Sequence, residues 1–216
     1  MKSKYLYAGL AGLAIVAAVI ITVQFILPMT GQNNPQKNQV AFLDFSYDEE
    51  NSDLRTTLAL HHINMTKPIR LSSKSDVSQY CNFLTDPTKQ ALVTYCTSTV
   101  LTGKQGNLGD ITMVGSPEVP GLVVVALESN PVMSNYDDVK TVFSVVLNST
   151  ICQCWDKERP GGYPTLSAMV DALRDFHLNG KQPDSTTHAV ALGGKHFEIE
   201  LSTNTSGYLW KLLVSK

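Results

Sequence analysis

Residues 122–127, LVVVAL, form an unbroken apolar run between Gly121 and Glu128. A strand with one face in water alternates apolar and polar side chains, so a run without a polar face predicts a central strand covered on both sides. The turn-rich linker SPEVPG at 116–121 separates it from a preceding strand over 110–114.

Working outward, the period changes after the central strand. Ser134 followed by Asp137 is a capping-box signal, and Val139, Val142, Phe143, Val146 and Leu147 recur at helical spacing. A further helix is predicted over 165–179, with Leu166, Met169, Val170, Leu173 and Phe176 inward and Gly180 as its stop. The chain then closes on a hairpin. Phe197, Ile199 and Leu201 alternate in one strand, TNTSG turns, and Tyr208, Trp210, Leu212 and Val214 alternate in the other.

Toward the N-terminus, VAFLDFSY at 40–47 alternates like a strand, and a second strand is predicted over 56–64. The acids Asp44, Asp48, Glu49, Glu50 and Asp53 then fall in a hairpin turn, which lacks the spacing of a calcium loop. Ser75 caps a short helix with Val77, Tyr80, Cys81 and Leu84 on one face, ending before Asp86-Pro87. Residues 88–101 fit either a strand or one or two helical turns. GKQGNLG at 103–109 reads as a loop, without the Lys-Ser/Thr ending of a phosphate cradle.

Strands and helices without a βαβ rhythm favour an α+β domain with a mostly antiparallel sheet and about three helices. Residues 5–27 precede it and contain no charged side chain. A helix of that length spans roughly 34 Å against a bilayer core of roughly 30 Å, so one transmembrane signal-anchor helix is expected there. Lys2 and Lys4 place the stub 1–4 in the cytoplasm by the positive-inside tendency, with 28–39 as a flexible spacer and 40–216 as one extracytoplasmic domain. Without Lys2 and Lys4 the formal charge falls from −2 to −4, which disfavours nucleic acid as a partner. The expected partners are the membrane, through one span, and another envelope protein.

Cys81, Cys96, Cys152 and Cys154 all fall in the outer part, where an even count reads first as two disulfides. If 151–155 is a strand, Cys152 and Cys154 share a face with Cα atoms about 6.6 Å apart, at the limit for a bond between them. One pattern therefore ties the 152/154 segment to Cys81 and Cys96. The other closes Cys81–Cys96 and leaves a C-x-C dithiol, the arrangement that could hold copper or zinc or exchange disulfides. No cofactor is expected under the structural reading. Under the metal reading the candidate ligands are Cys152, Cys154 and His177. Asn64, Asn148 and Asn204 begin N-x-S/T sequons and are candidate glycosylation sites.

The segment CQCWDKERPGG at 152–162 and the closing SGYLWKL resemble uncharacterised single-pass surface proteins of archaeal type. The resemblance covers the last third of the chain and implies an anchored outer domain, with no activity to carry over. No G-x-S-x-G, no H-E-x-x-H and no local Ser/His/Asp grouping nominates a catalytic site. His61 and His62 are adjacent and on a strand would point to opposite faces. The leading expectation is a non-catalytic interaction or accessory module of the cell envelope. The alternatives are a metal-binding or thiol-redox protein using Cys152 and Cys154, and a secreted-face hydrolase with an unrecognised site.

Overall fold

The computed structural model describes residues 41–216. The stub 1–4, the expected membrane helix 5–27 and the spacer 28–39 lie outside the described residues. Residues 41–216 form one compact unit.

Nine strands among the described residues, β1 (Asn64–Met65), β2 (Ile69–Leu71), β3 (Tyr95–Gly103), β4 (Gly106–Gly115), β5 (Pro120–Ser129), β6 (Asp184–Thr186), β7 (Val190–Leu192), β8 (Lys195–Asn204) and β9 (Gly207–Ser215), form one sheet. Their order is β1-β3-β4-β5-β9-β8-β6, with β2 also paired to β3 and β7 to β8. Every pairing is antiparallel. The central strand is β5 (Pro120–Ser129), flanked by β4 (Gly106–Gly115) and β9 (Gly207–Ser215). Its apolar run is explained by what lies on its two faces. Val123, Val125 and Leu127 join the main core, while Leu122 and Val124 join a smaller cluster on the opposite face.

The main core lies under three helices: α1 (Tyr47–Leu60), α4 (Tyr136–Thr150) and α6 (Leu166–Gly180). In α4 the expected stripe is buried as read, and Asn135 rather than Ser134 is the N-cap. In α6 the Thr165 side chain accepts from the Ala168 N–H, and Leu166, Met169, Val170 and Leu173 are buried. The closing hairpin is β8 (Lys195–Asn204) and β9, with Phe197, Ile199, Leu201, Trp210, Leu212 and Val214 all in the core.

On the other face, α2 (Lys74–Tyr80) and α3 (Pro87–Gln90) lie in the segment that covers β3 (Tyr95–Gly103), β4 and β5. Gln90 braces this segment, accepting from the Leu84 N–H at 3.0 Å and donating to the Cys81 carbonyl at 3.1 Å. The Cys81–Cys96 disulfide bonds it to β3.

Several expectations are corrected. The expected fold paired an N-terminal transmembrane helix with about three domain helices. Six α-helices occur among the described residues, and none of them is long and apolar enough to cross a membrane. The hairpin expected over 40–64 is instead α1. Ser46 accepts from the Glu49 N–H, Asp48, Glu49 and Glu50 occupy the first turn, and Tyr47, Leu54 and Leu58 are buried, so the acids favour a helix N-terminus rather than a turn. The other additional helices, α3 and α5 (Trp155–Glu158), have four residues each, too few for a periodic pattern. The glycine-rich stretch 103–109 is no free loop: it is the β3–β4 hairpin, where Gly103 pairs with Gly106.

Candidate functional site

The C-x-C segment sits between two helices rather than on a strand. Thr150 ends α4, and the Cys152 N–H donates back to the Leu147 carbonyl at 3.3 Å. Cys154 is the N-cap of α5, whose Glu158 N–H donates to the Cys154 carbonyl at 3.2 Å. The chain bends between them, bringing their Cα atoms to 5.2 Å, and the two cysteines are disulfide-bonded to each other. This corrects the geometry expected of an extended segment, where the separation would be at the limit. The other disulfide is Cys81–Cys96, with Cα atoms 6.4 Å apart.

The two disulfides have different surroundings. Cys81 and Cys96 are 0% and 1% exposed inside the smaller core cluster. Cys152 and Cys154 are half-buried at the edge of the main core, and Gln153 between them is exposed. Loop closure separates them too. A bridge between cysteines 15 positions apart confers about 3 kcal/mol by restricting the unfolded chain, whereas one that closes only the three-residue loop 152–154 confers about 1.6 kcal/mol.

Two further pieces complete the site. The first is Glu158: one of its carboxylate oxygens and the two cysteine sulfurs all lie within 4.8 Å of one another. The second is the turn between β7 (Val190–Leu192) and β8. Gly193 and Gly194 both have positive φ, 57° and 76°, which is the conformation of a two-residue type I′ hairpin. The Gly193 N–H donates to Glu158 Oε2 at 3.0 Å, and a Cβ placed on Gly193 would meet Cys152 Sγ at 2.7 Å. A glycine is therefore required for two independent reasons, its φ and the close approach of sulfur.

Below this turn, Lys195 is buried. Its Nζ donates to the Asp44 carboxylate and, at 2.7 Å, to the Thr150 carbonyl, and it lies 5.4 Å from the centre of the Phe45 ring. A cation there favours the C-terminal end of α4, whose carbonyls carry partial negative charge. The bond from Lys195 holds the Asp44 carboxyl below the usual carboxylate range. Glu50, 3% exposed, is pushed the other way by burial, and its Oε1 has no hydrogen-bond partner among the described residues.

Among the expected metal ligands, Cys152 and Cys154 are together, but His177 is not with them. Glu158 occupies the third position. His177 is 1% exposed, with Nδ1 3.0 Å from Ser185 Oγ and Nε2 2.7 Å from Thr203 Oγ1. Two hydroxyls satisfy both nitrogens of a neutral imidazole, and burial lowers its pKa. His61 and His62 lie on no strand: His61 is the C-cap of α1 and His62 follows it with positive φ, both exposed. Asn64, Asn148 and Asn204 are all exposed, so each sequon is open to modification.

Glu158, Gly193, Lys195 and Asp44 escaped sequence reading. The Gly193-Gly194 pair between short apolar runs was the available hairpin signal. Glu158, four residues after Cys154, becomes significant only once the segment is known to be helical. No protein-family model matches the chain, and no curated protein or solved structure is similar to it.

Proposed function

We propose that residues 41–216 work outside the cytoplasm as a thiol–disulfide exchange domain, with Cys152–Cys154 as the exchanging bond. The observation that carries this reading is the pairing itself. Cys152 and Cys154 are bonded to each other across one exposed residue, while the fully buried Cys81–Cys96 bridge serves the core. Two disulfides in one chain fit an oxidising compartment.

In the exchange, a thiolate of a client dithiol attacks one sulfur of the Cys152–Cys154 bond. That bond breaks, a mixed disulfide forms, and the second cysteine leaves as a thiolate. The second client thiol then attacks the mixed disulfide, giving a client disulfide and the Cys152/Cys154 dithiol, so two electrons pass from client to domain. A small-molecule disulfide returns the pair to its oxidised form. Once reduced, the two sulfurs and Glu158 also offer three of the four ligands of a tetrahedral zinc or copper site.

The test mixes oxidised full-length protein with a reduced peptide carrying two cysteines and follows peptide disulfide formation. Wild type and a Cys81→Ser/Cys96→Ser variant that still folds should oxidise the peptide at similar rates. Cys152→Ser/Cys154→Ser should leave only the background rate. Equal rates for wild type and the latter variant would overturn the proposal.

A second reading is the non-catalytic envelope interaction module. It is favoured by a cavity of about 790 Å³ between α2 and α3, lined in part by Val77, Leu84, Pro87 and Val93. Tyr80, Phe83 and Leu92 lie exposed in the same segment. Cross-linking in native cells decides this reading: it predicts a reproducible protein partner captured through 72–94, and fails if none is found.

A further inference from the structure

A second, separate cavity lies at the opposite end of the central strands from the small-helix groove, where the end of β5, the β3–β4 turn, the start of α4 and the β8–β9 turn converge. Its volume is about 260 Å³. Amide side chains dominate its lining, from Gln105, Asn107, Asn130, Asn135 and Asn204, and Tyr208 contributes a half-buried aromatic ring. Glu128 is the only charged side chain in the lining, and no basic residue is present.

Two of the lining residues are nine-tenths or more buried and carry oxygens without a partner. Ser129 is 5% exposed and its Oγ is unpaired among the described residues. Asn135 is 9% exposed: its Nδ2 donates to the Glu128 carbonyl at 2.7 Å, which orients the amide and leaves Oδ1 unpaired. Unsatisfied buried polar atoms each cost on the order of 1–3 kcal/mol, and two of them stand in the wall of this one cavity. One wall is already arranged. Asn130 donates to Ser134 Oγ at 2.8 Å, Ser134 donates to Gln105 Oε1, and Gln105 donates back to the Ser134 carbonyl at 3.0 Å.

We propose that this cavity binds one ring of a neutral sugar. Amides and hydroxyls both donate and accept, as ring hydroxyls do. Tyr208, whose ring packs against His177, adds an aromatic side chain to the lining, the amphipathic role that tyrosine commonly fills at binding surfaces. The lack of any basic side chain among the described lining residues, together with Glu128, disfavours a phosphate or carboxylate, and the predominance of amide and hydroxyl side chains disfavours a lipid. The volume lies just below the roughly 300–1,000 Å³ of drug-sized pockets, which suits a single ring. The prearranged amide wall lowers the ordering cost of binding. This site is independent of the disulfide reading.

The test titrates the full-length protein with glucose, galactose, mannose and N-acetylglucosamine, read by calorimetry and saturation-transfer NMR, with glucose 6-phosphate as charged control. At least one neutral sugar should bind saturably, with a dissociation constant on the order of 1 mM, and the phosphorylated control should bind at least about tenfold more weakly. Ser129→Ala should weaken sugar binding about tenfold while raising the melting temperature of the sugar-free protein, because it deletes an unpaired buried hydroxyl. A merely structural serine would not separate those two readouts. Asn107→Ala, at the exposed hairpin turn, gives a second binding variant whose fold is not in question. The proposal is overturned if no neutral sugar binds, if the phosphorylated control binds as tightly, or if both variants bind like wild type.

Discussion

The backbone of Gly193 lies directly against Cys152 Sγ, so close that a single added methyl would stand 2.7 Å from the sulfur. Gly194, its neighbour in the same turn, has positive φ as well but nothing within 4 Å of an added Cβ. Gly194→Ala should therefore cost roughly 1 kcal/mol, from φ alone. Gly193→Ala should cost roughly 2–4 kcal/mol, because overpacking adds to the same strain. Urea unfolding of the two variants measures the difference, and equal losses would show that the sulfur contact does not constrain the turn.

The two disulfides should separate under graded reduction. Cys152–Cys154, half-buried and closing the shorter loop, should open at lower dithiothreitol than Cys81–Cys96. Alkylation followed by mass spectrometry of the peptides reads the order. Loss of the bridge at Cys81–Cys96 should lower stability by about 3 kcal/mol, against about 1.6 kcal/mol for the other. Opening of the buried bridge first would contradict the assignment of roles.

His177 links stability to pH. Burial lowers its pKa in the folded protein, so below the ordinary histidine value near 6.5 the unfolded chain binds a proton that the folded protein resists. Stability should be at its plateau above about pH 6.5 and decline as pH falls through that value. His177→Gln retains donor and acceptor and should flatten this dependence. Thermal melts between pH 5 and 8 provide the comparison; an unchanged slope in the variant would assign the dependence to another group.

Glu50 has the opposite sign. Burial raises its pKa, so ionising it in the folded protein costs stability as pH rises above the ordinary value of 4.5. Glu50→Gln should thus be more stable than wild type at pH 7, by on the order of 1 kcal/mol, and the gain should vanish at pH 4. Lys195 keeps Asp44 and the Thr150 carbonyl in the variant, so its own charge stays paired. A variant less stable than wild type at pH 7 would mean that Glu50 serves as a needed counter-charge to Lys195.

How much of this was legible in the chain follows from where local pattern and tertiary context agree. The LVVVAL strand, the α4 stripe and the closing hairpin were readable because their side chains follow one period over many residues. Residues 40–64 were not. VAFLDFSY alternates over a few positions, and that signal outweighed the cap at Ser46 and the three acids after it. In α6 both Phe176 and His177 continue the buried stripe at allowed spacings. The structure leaves Phe176 63% exposed and turns His177 inward, because Ser185 and Thr203 supply the hydroxyls that only β6 (Asp184–Thr186) and β8 bring near. The C-x-C pair was visible, but its pairing depended on a bend that no alternation announces. The amide-lined cavity draws on four separate stretches and has no sequence signature.

The Cys81–Cys96 bridge also bears on how the chain matures. Because it fastens the 72–94 flap over Val114, Leu122 and Val124, that side of the sheet is kept dry by a covalent bond made after synthesis. A newly made chain held in a reducing environment would carry a greasy, loosely covered sheet face, and it becomes sealed only on reaching an oxidising one. The closure of the flap thus depends on the redox state of its surroundings.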